Sequence, residues 1–201
     1  MHISDGILST PVLAGGAALA VAGTFIGLAK IKSDDVPRVG LLSAVFFVAS
    51  LINVPVGPTS VHLIGGGIAG LILRWKAFPA ILVGLFLQAV FFQYGGLTSL
   101  GVNTFNMAAP AVLVGILFRR LINKNGGVAF IGAFLAGALA ILGGAVLVAA
   151  SLLLSSLDYA APAAWELAAH LVLMVIEGIM CALCVGFLKK VKPEMLGVQE
   201  T

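Results

Sequence analysis

Apolar residues run through this chain in long blocks broken by short polar clusters. Seven such blocks can be marked: 11–29, 39–53, 60–73, 77–94, 104–118, 127–155 and 163–188. A helix crossing a bilayer needs about 20 apolar residues, within a range of about 17–25. The pattern therefore predicts an all-α membrane protein of seven transmembrane helices in a single domain covering residues 1–201. The second, third and fifth blocks are short. In membranes such Gly- or Pro-interrupted segments rest on protein or line a cavity. The sixth is long enough to span with tilt.

Composition supports this class. Of 201 residues, 61% are hydrophobic and only 9% charged. Soluble domains average about 45–50% apolar and about 25% charged. Such a chain cannot cover itself with polar surface in water, so soluble and disordered classes are excluded. The formal charge of +3 is spread along the chain and makes no dense basic patch, which speaks against nucleic acid as a partner.

The basic residues orient the spans. Lys30, Lys32 and Arg38 fall between blocks one and two, and Arg74 and Lys76 between three and four. Arg119, Arg120 and Lys124 fall between five and six, and Lys189, Lys190 and Lys192 follow seven. With seven spans all eleven lie on one side, which the positive-inside rule makes cytoplasmic. The N-terminus is then expected outside and the C-terminus inside. The first nine residues hold no Lys or Arg, so no cleavable signal is expected there.

Small residues recur every fourth position: Gly132, Ala136, Ala140 and Gly144; Gly178, Ala182 and Gly186; and Ala14, Ala18 and Ala22. They are expected to let helices approach closely, within this chain or against another membrane subunit. Cys181 and Cys184 form a C-x-x-C pair in an apolar run without the context of a redox or metal motif, and are read as core residues. No two halves of the chain resemble each other, which disfavours a repeat-built carrier. Motifs for nucleotide binding, zinc proteolysis or a serine nucleophile are missing. Any ATP-driven step must be supplied by other subunits.

The polar residues gather at the outer ends of the expected spans. Thr59, Ser60 and His62 sit near the ends of spans two and three, and Gln88 in the outer part of span four. Asn103 and Asn106 open span five, and His170 lies about two turns into span seven with Glu177 near its middle. Buried polar groups in a membrane are costly and face a bundle interior or cavity. Their concentration in one leaflet predicts a binding site open to the outside.

The first two residues are a chelator in their own right. The Met1 amine, the His2 backbone nitrogen and His2 Nδ1 can close fused rings around one ion. The amide must lose its proton, which Ni(II) and Cu(II) can drive. Three nitrogens in a plane leave a fourth place, suited to one more imidazole, and square-planar nitrogen sites suit Ni(II) or Cu(II). His62 is one such imidazole; it also reads as an ordinary residue of a helix start, with Thr59 or Ser60 as N-cap. His170 shares a helical face with Glu166 and Glu177. His170 and Glu177 read as a supporting or ion-pathway pair, as rival ligands, or as a buried pair that fixes packing, the supporting role being favoured over ligation; Glu166, near the helix start, reads as facing water or the helix dipole. Asp5 and Gly6 are expected to shape the N-terminal loop, and Thr59, Ser60, Gln88, Asn103, Asn106, His170 and Glu177 to orient imidazoles or the loop.

Three ordered blocks resemble a known family. MHISDGILSTPV at the start, PVGPTSVHLIGGGIAG at 55–70 and GGLTSLGVNTFNM at 95–107 are similar to motifs of the substrate-capture (S) components of energy-coupling-factor nickel and cobalt transporters, the CbiM/NikM family. Pro58 and Val61 depart from the small residues common there. The resemblance implies a seven-span fold whose outer N-terminus folds back into the bundle. It implies a metal held by the Met1 amine, the His2 amide and ring, and His62. The Ser-Asp-Gly after MHI looks more like the nickel branch, so the ion implied is Ni(II), with Co(II) as the alternative. It further implies a transmembrane coupling subunit, ATPase subunits and a small accessory membrane subunit as partners, in a prokaryotic cell membrane, with no catalysis by this chain. Two rivals are a self-sufficient channel or carrier and a membrane enzyme built on His170, Glu166 and Glu177.

Overall fold

The computed structural model describes residues 2–56, 59–124 and 126–197; for 53–56 and 59–61 the backbone alone is described. Helices dominate. They are α1 (Thr10–Leu28), α2 (Val36–Ala49), α3 (Gly66–Leu73), α4 (Ala77–Phe92), α5 (Leu100–Leu117), the single turn α6 (Arg119–Ile122), α7 (Gly127–Ser155) and α8 (Ala160–Val191).

One element departs from the expected all-α class. Asn53–Val56 (β1) pairs antiparallel with Thr59–His62 (β2), with Asn53 opposite His62. Block three was expected to be helical from residue 60, but its helix starts only at Gly66. The sequence NVPVGPTSVH explains the difference. Pro55 and Pro58 lack the N–H a helix requires, and Val54, Val56, Thr59 and Val61 are β-branched and favour extended backbone.

Five helical stretches are long and apolar enough to cross a bilayer: 10–28, 66–92, 100–117, 127–155 and 157–191. α2, at 14 residues, spans only about 21 Å at ~1.5 Å per residue, short of a ~30 Å core. The stretch 66–92 bends back on itself. α3 places Gly70 against Ala111 of α5, α4 begins with Phe78 against Gly23 of α1, and Gln88 near the end of α4 meets His2. The reversal falls at Arg74–Lys76, where Arg74 takes φ 51°.

Two distinct ends result. At one, Lys30, Arg38, Arg74 and Lys76 line a common cavity with Met195–Gly197. At the same end Lys189 Nζ donates to the carbonyls of Ile122 and Lys124. At the other end lie His2, Gln88 and Asn103. Large apolar side chains cover the outer face: Phe25, Leu154, Phe91 and Phe187 are all more than 60% exposed. That surface suits lipid rather than water.

Close backbone contacts hold the bundle. A Cβ on Gly67 would strike the backbone of Gly137, and one on Gly137 would strike the carbonyl of Glu177 in α8. Gly178 packs under Phe134, and Ala136, Ala140 and Ala182 are buried. The stripe expected on α1 is different: Ala14, Ala18 and Ala22 are exposed. α1 packs instead through Gly16, Gly23 and Gly27, against Val102, Phe78 and Trp75–Pro79. Gly186 meets no neighbour within 4 Å. Cys181 and Cys184 are both free, Cys181 being buried.

Candidate metal centre

The N-terminal segment lies across the end of the bundle and is tied to the start of α5. The Asp5 carboxylate accepts from the backbone N–H groups of Leu97, Thr98 and Ser99 at 3.2, 3.1 and 3.2 Å, and from Thr98 Oγ1 at 2.5 Å. These donors belong to the bend at residues 97–99 immediately before α5, with Ser99 at its N-cap position, so the carboxylate sits beside the start of a helix, where negative charge is favoured. The same hydrogen bonds, led by Thr98 Oγ1, hold the Asp5 carboxyl below its ordinary value. Gly6 takes φ 82°, a left-handed turn that suits glycine, and carries the chain on into α1.

Ile3 is clamped by its backbone. Its N–H donates to Asn103 Oδ1 at 3.0 Å, and its carbonyl accepts from Asn103 Nδ2 at 2.9 Å and Ser99 Oγ at 2.6 Å. Ser9 N donates to Ser155 Oγ at 3.1 Å, which ties the other end of the segment to α7. Gly95, at φ 74°, lets the chain pass beside Asn103 and the His2 ring.

This clamp places the His2 ring between Gln88 and His62. His2 Nε2 lies 2.7 Å from Gln88 Oε1, and His2 Nδ1 lies 2.9 Å from His62 Nε2. His62 Nδ1 lies 3.1 Å from the carbonyl of Leu63. The Gln88 side-chain oxygen and the Leu63 carbonyl only accept, so the nitrogens facing them carry the protons. In the neutral rings His2 is then protonated at Nε2 and His62 at Nδ1. That leaves His2 Nδ1 and His62 Nε2, both bare, with lone pairs facing each other. Burial, followed by the neighbouring His62, holds the His2 imidazole well below its ordinary value, which keeps it neutral. Two facing lone pairs repel until a shared cation satisfies both.

The spacing carries chemical information. Metal–nitrogen bonds of about 2.0–2.1 Å put neighbouring donors about 2.9 Å apart at a right angle and about 3.3 Å apart at a tetrahedral one. The 2.9 Å found here matches the right angle of square-planar or octahedral ions.

The supporting shell is buried. Gln88 is 0% exposed, and its Nε2 donates to the Phe46 carbonyl at 3.4 Å. Glu177, 3% exposed, accepts from the N–H of Ile64 and from that of Gly65 at 2.9 and 3.1 Å. α8 thus grips Ile64 and Gly65, in the turn after His62. Tyr94 lies with its ring 6.0 Å from that of His2.

Other expected site residues make their hydrogen bonds away from the two imidazoles. Asn106 is in the second turn of α5, which begins at Leu100 rather than 104, and its Nδ2 donates to Ser151 Oγ at 3.3 Å. His170 Nδ1 donates to the Glu166 carbonyl at 2.7 Å, and its buried Nε2 has no hydrogen-bond partner among the described residues. Met1 lies outside the described residues, as do the side chains of Thr59 and Ser60. Among the described residues no three His, Cys, Asp or Glu side chains converge on one point. Residue types alone did not single out Ser99 and Tyr94; their only signal was position, at or beside the 95–107 block.

Comparison with known proteins adds the family. Residues 2–195 match the profile of CbiM, described as the cobalt uptake substrate-specific transmembrane region. The chain belongs to the CbiM family. A putative metal transport protein of Haemophilus influenzae is 54% identical over 108 residues, covering 54% of this chain and 52% of that protein. The fused nickel transport protein NikMN of Rhodobacter capsulatus is 41% identical over 114 residues, covering 54% of this chain and 33% of that protein. Matches of this kind span about half or less of those relatives. A solved structure described as a transition metal transporter superposes with TM-score 0.78 at 30% identity, over 95% of this chain and 93% of that one. A truncated transition metal transporter gives 0.74 at 29%, over 96% and 99%. As a CbiM member with several membrane-length apolar helices, this chain is a multi-pass protein of the prokaryotic cell membrane.

Proposed function

We propose that this CbiM protein is the substrate-capture subunit of an energy-coupling-factor transporter, taking up Ni(II) from outside the cell. The reading rests on one observation: the bare His2 Nδ1 and His62 Nε2 face each other at 2.9 Å. An ion between them gains two further nitrogens from the Met1 amine and the His2 amide. The four donors make a square plane, the geometry of Ni(II) with nitrogen ligands. The deprotonated amide offsets part of the ion's charge, so the site needs no carboxylate in contact with metal. A constellation using main-chain nitrogens would not register as three convergent acidic, His or Cys side chains.

In this reading Asn103, Ser99 and Asp5 hold the N-terminal segment, Gln88 sets the His2 tautomer, and Glu177 holds the turn after His62. The chain crosses the membrane seven times, α2 and the α3–hairpin segment supplying two incomplete crossings. The amino end lies outside, the basic end faces the cytoplasm, and the carboxyl end lies inside. A transmembrane coupling subunit, ATPase subunits and a small accessory membrane subunit supply the energy and the release step, and this chain performs no catalysis. The similarity to a relative named as a fused nickel transport protein supports the nickel reading.

Cobalt is the second reading. The family description names cobalt uptake, and a cobalt transport protein CbiM of Geobacter sulfurreducens is 37% identical over 120 residues. Octahedral Co(II) also places neighbouring donors at a right angle. Competitive titration of the purified protein with Ni(II) and Co(II), followed by visible absorption, separates the two. A planar nitrogen-ligated Ni(II) band that survives excess Co(II) is expected. No Ni(II) binding, or metal uptake into liposomes by this chain alone, overturns the proposal.

A further inference from the structure

The end of the bundle opposite the histidines holds a second polar feature, independent of the metal reading. A cavity of about 330 Å³ is lined by Lys30, Arg38, Arg74 and Lys76, with Trp75 and Leu196 among its walls. Lys76 is paired with Asp35 at 2.6 Å. Among the described residues Lys30 and Arg74 have neither a carboxylate nor a hydrogen-bond partner for their side chains, and Arg38 shares the Asp35 carboxylate electrostatically with Lys76 without an ion pair of its own. Arg119 adds a further cation at the same place, also without a carboxylate partner among the described residues. A methyl group on Gly197 would meet Arg119 Nη2 at 3.6 Å and Arg74 Nη2 at 3.9 Å, so two guanidinium tips converge on one space. They come from different elements, the α3–α4 turn and α6. Like charges held this close repel unless an anion lies between them.

We propose that this cavity binds the phosphate of an anionic phospholipid headgroup. Arg74 and Arg119 grip the phosphate oxygens, since guanidinium groups match phosphate geometry by paired N–H donation. Lys30 and Arg38 sit at the mouth and favour a net negative headgroup. The position favours lipid over an acidic protein segment. Leu28 and Val36, just before Lys30 and Arg38, are 54% and 57% exposed, so the mouth lies where apolar surface gives way to charge. A bilayer presents phosphate at that boundary, and basic pockets between membrane helices bind such headgroups. Trp75 provides a flat wall at the same depth, where Trp is enriched in membrane proteins.

The test is retention of lipid by the purified full-length chain in detergent, read by native mass spectrometry. Phosphatidylglycerol should be retained at least tenfold better than phosphatidylcholine. The double variant Arg74→Gln/Arg119→Gln should erase that preference, while Arg120→Gln/Lys190→Gln, equal in charge but outside the cavity, keeps it. If the first double variant does not yield a monodisperse protein, Lys30→Gln/Arg38→Gln should reduce retention several-fold. Equal retention of the two lipids, or equal loss in both charge-matched pairs, overturns the proposal. Inorganic phosphate bound without a preference for phosphatidylglycerol would make this a free-phosphate site. A poly-glutamate peptide retained in place of lipid would make it a protein-docking site. Either result overturns the lipid assignment.

Discussion

His2 Nδ1 and His62 Nε2 stand 2.9 Å apart, each left bare because an acceptor on the far side of its ring holds the proton on the other nitrogen. In the proposed reading the pair is a two-point clasp for a cation. Replacing His62 with Ala should weaken Ni(II) binding by at least about 100-fold, beyond the 10–100-fold that loss of an outer-shell partner costs. Titration calorimetry, with the visible band shifting as water replaces one nitrogen, checks this. Unchanged affinity would remove His62 from the ligand set.

The amine is tested separately. One residue added before Met1, or His2→Ala, should abolish tight Ni(II) binding, because the fused chelate rings no longer form. Wild-type affinity in the extended protein would sink the chelate, whatever His62 does.

Asn103 clamps both backbone groups of Ile3. Asn103→Ala strands a buried N–H and part of a carbonyl's bonding, a loss of about 1–3 kcal/mol. A fall in thermal midpoint together with a roughly tenfold weaker Ni(II) affinity is expected. Weaker affinity without loss of stability would mean that Asn103 reaches the ion rather than the loop.

Asp5 brings a pH dependence. Its carboxyl is held below the ordinary value of 3.8 by the hydrogen bonds from residues 97–99. A depressed folded value means that the contribution to docking is full above the ordinary value and lost as pH falls through the lower one. Protection of the Thr98 and Ser99 amides, taken relative to their intrinsic exchange rates, should be high at neutral pH and fall in strong acid. Asp5→Asn should remove that acid step.

Glu177 is the clasp's distant brace. In Glu177→Ala two N–H groups, of Ile64 and Gly65, lose their acceptor, and both stability and Ni(II) affinity should fall. Glu177→Gln keeps one acceptor oxygen and should recover part of both. Wild-type behaviour in both variants would reduce Glu177 to a bystander.

Much of this was readable from residue order. Apolar blocks located the long helices within a few residues, because in lipid a run of side chains has few alternatives to helix. Basic clusters anticipated the end that collects Lys30, Arg38, Arg74 and Lys76. The β-hairpin was missed because hydropathy counts Val54, Val56 and Val61 as apolar without weighing their branching or Pro55 and Pro58. Which face of α1 packs inside the chain was not readable: alanines and glycines recur at similar spacings, and only tertiary contact shows that Gly16, Gly23 and Gly27 face inward while Ala14, Ala18 and Ala22 stay exposed. The tautomers of His2 and His62 were beyond reach, since they depend on Gln88 and Leu63 being brought to particular ring atoms.

The clamp on Ile3 sets a timetable for biogenesis. Its partners lie 96 and 100 positions further along the chain. At synthesis rates of about 5–20 residues per second, the amino end waits roughly 5–20 s before Ser99 and Asn103 have even been made. The seat of the His2 ring therefore forms only once the start of the fifth helix has been delivered, and a newborn chain stalled before that point has the amino-terminal segment but nothing to hold it.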